Sequence, residues 1–144
     1  MNSEPFWSRE EKGTGKSKLA DTSVEMAIAV VNYCKWLMAE KREFIMSKQL
    51  LRSGTSVGAN IHEAIYAVSK ADFIAKMQLA LKEASESEYW LLVLRHTGYF
   101  DDRFECLPAL CNALVRMLTS ALNTAKAHQA EELSASRRKR SENG

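Results

Sequence analysis

The segment from Arg52 to Ala64 (RSGTSVGANIHEA) constrains the fold most strongly, because small residues interrupt a run with helical apolar spacing. Apolar or glycine positions recur every three or four residues at Leu50, Gly54, Val57, Ile61, Ile65 and Val68. This is the period of an amphipathic helix. Each glycine inside a helix costs about 1 kcal/mol of stability relative to alanine. A glycine in such a position usually allows the backbone of a neighbouring element to approach closely. The segment therefore predicts tight helix packing rather than a reaction.

Length and composition favour one all-α domain. The chain has 144 residues with only two prolines and six glycines, and a domain of this length buries roughly two thirds of its unfolded surface. Its longest apolar runs, such as 27–31 and 91–94, are short, whereas a membrane helix needs about 20 apolar residues. The first residues lack the apolar core of a secretory signal. We therefore expect a cytoplasmic protein that does not contact a membrane.

Four helical segments with short connections predict an antiparallel, up-down-up-down four-helix bundle. The first helix is expected to start at Asp21 or Thr22, with Thr22 and Glu25 forming a capping box. The others are expected at about 43–68, 70–97 and 107–127, with Ser69 as an N-cap and Gly98 as a C-cap. Residues 1–20 would then form a flexible leader, 21–130 the bundle, and 131–144 a disordered basic tail.

The first and third helices have more apolar surface than one core requires. Apolar residues of the first helix cover roughly 220° of its circumference, whereas a simple surface helix has a stripe of about 100°. An isolated chain would expose a larger apolar patch than soluble monomers normally show. This predicts contact between copies of the chain through Val30, Tyr33, Leu37, Trp90 and Val93.

Polar and small residues of the second and third helices form a second candidate site. Its members are Arg52, Gly58, Ala59, Asn60, Glu63 and Glu88. Helical projection places Glu88 on the core side of the third helix, where an unpaired carboxylate would be costly. Two interpretations are open: these groups set helix register and subunit pairing, or they line a polar cleft for a ligand or partner.

Enzyme chemistry has little support in the sequence. The Glu-x-x-His pattern of di-iron bundles does not occur. Ser53, Ser56 and Ser85 fall in predicted helix interiors, where no strand-to-helix nucleophile turn can form. The three cysteines have no CxxC spacing, and Cys34 and Cys111, which fall on apolar helical faces, are interpreted as small core hydrophobes. We expect no enzymatic activity, metal or cofactor.

Charge patterning leaves nucleic-acid binding as an alternative. Residues 21–130 contain equal numbers of basic and acidic residues, so a uniform positive field is excluded. Basic clusters that suit phosphate contacts are Lys41, Arg42, Lys48, Arg52, Arg137, Arg138, Lys139 and Arg140.

Four segments carry a family resemblance: RSGTSVGANIHEA, SKADFIAKM, KEASESEYWL and TGYF. Over about residues 22–125 the chain resembles the bacterial four helix bundle proteins first found encoded in intervening sequences of large-subunit ribosomal RNA genes. The resemblance implies a four-helix bundle that assembles as a ring-like homopentamer. A related branch, the accessory proteins of diversity-generating retroelements, forms pentameric barrels that bind a reverse transcriptase and nucleic acid. Nothing in this sequence places it in that branch.

The sequence thus leads to two functional hypotheses. The first is a non-enzymatic scaffold or adaptor that self-associates, so that its partners include other copies of the same chain. The alternative is an accessory protein that binds RNA, DNA or a reverse transcriptase through repeated basic clusters.

Overall fold

The computed structural model describes the backbone of residues 15–144 and the side chains of residues 18–144. Most of the expected leader therefore lies outside the described residues. The helices are α1 (Gly15–Glu40), α2 (Met46–Ile65), α3 (Lys70–His96) and α4 (Cys106–Glu142), with a short 3-10 turn at Asp102–Phe104 before α4. Each helix packs on the next, and α1 also packs on α4. The predicted all-α four-helix bundle is confirmed.

Two helix caps were predicted correctly. The Ser69 hydroxyl accepts a hydrogen bond from the Asp72 backbone N–H (3.0 Å) at the start of α3. Gly98 follows the end of α3 with a positive φ of 84°, a conformation that glycine adopts without steric cost. Within residues 15–144, no helix has the length and apolar character needed to cross a membrane.

The start of α1 and the end of α4 differ most from the sequence prediction, whereas α2 is shorter by three residues at each end. Helix α1 already begins at Gly15, and the Thr22 hydroxyl donates to the Lys18 carbonyl (2.7 Å) inside it, so the capping box at Thr22 does not form. Helix α4 continues to Glu142, so most of the stretch expected to be a disordered tail is helical. Every residue after 130 is exposed, and good helix formers uninterrupted by proline or glycine explain its continuation.

The core-facing side of α1 is not the predicted one. Val30, Tyr33 and Leu37 are fully buried within the single chain, so their assignment to an interface between copies is wrong. On the adjoining apolar stripe of α1, Ile28 is exposed and Val24 is half-buried, whereas Cys34 is buried. Periodicity shows that two apolar stripes adjoin on this helix, but it does not tell which of them meets the core.

Candidate functional site

The glycines of α2 lie where α1 approaches most closely. A β-carbon built on Gly54 would lie 2.7 Å from Cγ2 and 2.9 Å from Cγ1 of Val30, and one on Gly58 would lie 3.2 Å from the Ser23 hydroxyl. Both glycines thus occupy the close helix contact that the sequence predicts. Ala59 is exposed, so it has no part in this contact.

An ion-pair cluster joins α2 to α3 at Arg52. The Arg52 guanidinium binds Glu83 (3.2 Å) and Glu86 (2.5 Å), and its hydrogen bonds hold the pKa of Glu86 below the ordinary value. The indole N–H of Trp90 also donates to Glu86 (3.4 Å). Half of the Arg52 side chain is exposed, and ion pairs on the protein surface contribute about 0–1 kcal/mol to the free energy of unfolding.

Ser87, rather than Glu88, occupies the polar position in the core of α3. Ser87 is fully buried and its hydroxyl lies 2.8 Å from the Glu83 carbonyl and 3.0 Å from the Ser53 hydroxyl of α2. Glu88 is half-buried. The predicted core position of Glu88 is therefore wrong by one residue. The buried side of α3 shifts slightly around the helix axis from one end of the helix to the other.

The other polar residues of α2 do not converge on one cleft. Asn60 donates to the Ser56 carbonyl of its own helix (2.9 Å), whereas Glu63 pairs with Lys76 of α3 (2.8 Å). Arg52 and Glu63 are eleven residues apart, about 16 Å along the helix. Their contacts join α2 to α3 at separate points, which favours the role in helix register over the polar cleft.

Glu43 stabilises the start of α2, a role that the sequence interpretation missed. This carboxylate is almost fully buried and accepts hydrogen bonds from the backbone N–H groups of Ile45, Met46 and Ser47 at 2.7–3.0 Å. Burial alone would raise the pKa of Glu43, but these hydrogen bonds outweigh it and the pKa is lowered. An acidic residue just before a helix is the signal that identifies such a cap.

Aromatic side chains cluster at the end of the bundle where α1 meets the α3–α4 connection. The Tyr33 ring lies 6.0 Å from Trp36, 5.8 Å from Phe100 and 5.0 Å from Phe104, and the Tyr33 hydroxyl donates to the Tyr99 carbonyl (2.6 Å). The cluster fixes the α3–α4 connection against α1. In the sequence, the TGYF motif (residues 97–100) and Phe104 are the features that indicate this aromatic cluster.

Cations lie over these aromatic rings. Lys41 and Arg103 lie 5.4 and 5.5 Å from the centre of the Trp36 ring, distances that allow cation–π attraction. Arg95 lies 4.8 Å from the Phe100 ring. Lys41 follows α1 and Arg103 lies in the α3–α4 connection, so both connections at this end of the bundle carry a cation. Arg103 also pairs with Asp101 (3.3 Å) and Arg95 with Glu105 (2.6 Å).

The predicted basic clusters do not form one surface. Lys41, Arg42 and Lys48 are exposed near the aromatic end, but Arg52 is already paired with two glutamates. The run 137–140 begins 31 residues after the start of α4, about 47 Å along that helix. The two clusters thus lie at opposite ends of the molecule.

The outer face of α3 carries little charge. Its exposed residues between 71 and 92 are Ala71, Ala75, Gln78, Leu79, Lys82, Ser85, Tyr89 and Leu92. Lys82 is the only charged residue among them. Leu79, Tyr89 and Leu92 are 43%, 56% and 57% exposed, and the predicted interface residues Trp90 and Val93 are half-buried beside them.

The cysteines differ in their surroundings. Cys34 and Cys111 are buried, and burial raises the pKa of each thiol to about 12, whereas Cys106 is exposed. Among the described residues, no three His, Cys, Asp or Glu side chains lie together in a way that would hold a metal ion.

Comparison with known proteins identifies similar chains. Residues 16–120 match the family described as 23S rRNA-intervening sequence protein. A similar solved structure is that of a protein with unknown function from the S23 ribosomal protein family of Bacteroides thetaiotaomicron VPI-5482, with 45% sequence identity and a TM-score of 0.73. The match covers 76% of this chain and 99% of that one. Among proteins of curated function, none is significantly similar to this chain.

Proposed function

We propose, from the premise that this chain belongs to the 23S rRNA-intervening sequence protein family, that it is a non-enzymatic cytoplasmic scaffold that works by self-association. The observation that supports this most is the outer face of α3, where Lys82 is the only charge among the exposed residues from 71 to 92. A soluble helix normally places charged residues on its outer face, whereas Leu79, Tyr89 and Leu92 are exposed here among mostly uncharged residues. Exposed apolar patches typically mark interfaces.

A second apolar strip lies on the other side of the bundle. Ile28 of α1 is 46% exposed, with Val24, Ala27 and Val31 half-buried around it. Because α1 and α3 are at opposite corners of the bundle, their outer faces point in opposite directions. Contact between the α3 face of one copy and the α1 face of the next would be head-to-tail, and such contacts form a ring where the rotation between neighbouring copies closes. The ring-like homopentamer that the sequence resemblance implies has this kind of contact.

Charge substitution on the α3 face tests the proposal. Leu92 and Leu133 are both 57% exposed, but Leu92 lies on the face and Leu133 on the projecting end of α4. Leu92→Glu should reduce the mass measured by light scattering to that of a monomer, whereas Leu133→Glu should leave it unchanged. Equal masses for the two variants and the wild-type chain would contradict the proposal.

A mixing experiment tests the head-to-tail geometry. Ile28→Glu blocks the α1 face and leaves the α3 face intact, whereas Leu92→Glu does the reverse. Each variant alone should be monomeric, and a 1:1 mixture should form a dimer through the two intact faces and stop there. If Ile28→Glu still assembles by itself, α1 is not part of the interface.

The second candidate function is that of an accessory protein that binds nucleic acid or a reverse transcriptase. The observation that favours it is the position of Lys41 and Arg103 over Trp36, with Arg42 and Lys48 exposed nearby. Repetition of this cluster around a ring would let several weak sites act together.

Single-stranded RNA retention at low and physiological salt tests this alternative. Contacts to phosphates should make retention fall steeply with salt, and the double variant Lys41→Ala/Arg103→Ala should reduce it more than removal of residues 133–144. Absence of retention at about 50 mM salt, where such contacts are strongest, would exclude the RNA-binding alternative.

A further inference from the structure

A large open groove lies at the end of the bundle opposite the aromatic cluster. Its volume is about 1140 Å³, and it lies between α4 and the facing ends of α2 and α3, with Leu19 of α1 in its wall. The lining is mainly apolar and includes Ile65, Met77 and Met117. Small side chains such as Ala121 leave room there for bulky groups.

We propose that this groove binds the segment of the same chain that contains Phe6 and Trp7. Apolar grooves of this size are typical binding sites, and large aromatic side chains contribute most to such contacts. Phe6 and Trp7 are the only aromatic residues that precede Leu19 in the sequence. The proposal concerns contact within one chain and does not depend on self-association.

The length of the chain permits this contact. Trp7 precedes the first residue of α1, Gly15, by eight residues, and eight extended residues span up to about 26 Å. The wall contributed by α4 runs from Arg116 to His128, about 18 Å along the helix. Since Leu19 lies in the groove wall only one helical turn after Gly15, the preceding segment has enough length to run along the groove.

The charges of the two partners are complementary. The groove-lining residues include Lys70, Arg116 and His128 and no acidic residue, and Lys70 already pairs with Glu132 beside the groove (2.6 Å). Arg116 is hydrogen-bonded to the neutral Asn112 side chain (2.7 Å). The segment 1–14 contains three glutamates and only two basic residues. Arg116 is therefore the groove cation that best suits a glutamate of the segment, and an apolar centre with a charged rim is a usual arrangement of a specific contact.

Quenching of Trp7 fluorescence by iodide tests the proposal in the full-length chain. The Trp7 contribution is obtained as the difference between wild type and Trp7→Phe, and the reference is a synthetic peptide of residues 1–14. Trp7 in the protein should be quenched several-fold less than in the peptide. Thr124 lines the groove and its neighbour Asn123 does not, although both are exposed. Thr124→Glu should therefore increase quenching toward that of the peptide, whereas Asn123→Glu should leave it unchanged.

Two outcomes would overturn the proposal. The first is quenching of Trp7 in the wild-type chain as strong as in the peptide, and the second is equal quenching in the Thr124 and Asn123 variants. The measurement is repeated in Leu92→Glu over a range of protein concentrations. Protection that persists on dilution supports contact within one chain, whereas protection that disappears assigns the groove to a neighbouring copy and contradicts the proposal.

Discussion

Substitution of Gly54 by alanine should destabilise the bundle, although alanine is the better helix former. The added β-carbon would lie 2.7 and 2.9 Å from the two methyl carbons of Val30, which is fully buried and β-branched. Overpacking of this kind costs about 1–3 kcal/mol, and two such close contacts place Gly54→Ala in the upper part of that range. The gain in helix propensity returns about 1 kcal/mol. The free energy of unfolding should therefore fall by about 1–2 kcal/mol.

Gly58→Ala is the matched control, because it is the same substitution one turn later in the same helix. Its β-carbon would meet the Ser23 hydroxyl at 3.2 Å, a milder contact than those at Gly54, so steric cost and propensity gain should nearly cancel. Urea denaturation at one fixed chain concentration compares the variants with wild type, since association shifts apparent stability.

The double variant Val30→Ala/Gly54→Ala then isolates the contact. In the Val30→Ala background, Gly54→Ala should no longer destabilise the chain, because both methyl carbons are gone. If Gly54→Ala is as stable as Gly58→Ala in the wild-type background, the assignment of Gly54 to the closest α1–α2 contact is refuted.

Three further predictions concern single side chains. Glu43→Gln should lower the free energy of unfolding by about 1 kcal/mol at pH 7. Because a lowered carboxyl pKa stabilises the fold only above that pKa, the difference in unfolding free energy between wild type and Glu43→Gln should shrink as the pH falls through the pKa of Glu43. A difference that stays constant with pH would contradict the capping role of Glu43. A thiol reagent at pH 8 should label Cys106 quickly and Cys34 and Cys111 only after unfolding, because only Cys106 is exposed. Fast labelling of all three thiols in the folded protein would contradict the burial of Cys34 and Cys111 in the core. Arg52→Ala should change the free energy of unfolding by less than about 1 kcal/mol, since the ion pair is half exposed; a larger loss by urea denaturation would show that it is coupled to the core.

Local signals in the sequence predicted most of the fold. The apolar period of α2 with its glycines, the Ser69 cap and the Gly98 turn each depend on neighbouring residues, and the structure confirms them. The helical continuation of α4 was missed, because charged composition suggested disorder while every residue from 131 to 142 has at least moderate helix propensity.

The site residues were harder to predict, because their roles depend on partners from other helices. Val30 was assigned to an interface since α1 has two apolar stripes, and only its contact with Gly54 determines which one is buried. Arg52 was counted as a free cation, although Glu83 and Glu86 of α3 neutralise it. Arg103 was not predicted as part of the basic cluster, because only the folded bundle brings it to Trp36; it also pairs with Asp101 (3.3 Å).

The mass of the wild-type chain in solution tests the central claim most directly. Light scattering coupled to size exclusion, at micromolar concentration and physiological salt, should give about 81 kDa, the mass of five copies of 16.2 kDa. A mass that corresponds to a smaller or larger ring would support self-association but would show that the number of copies is not five. A mass near 16 kDa at every concentration would show that the outer faces of α1 and α3 do not associate, and would contradict the proposed scaffold.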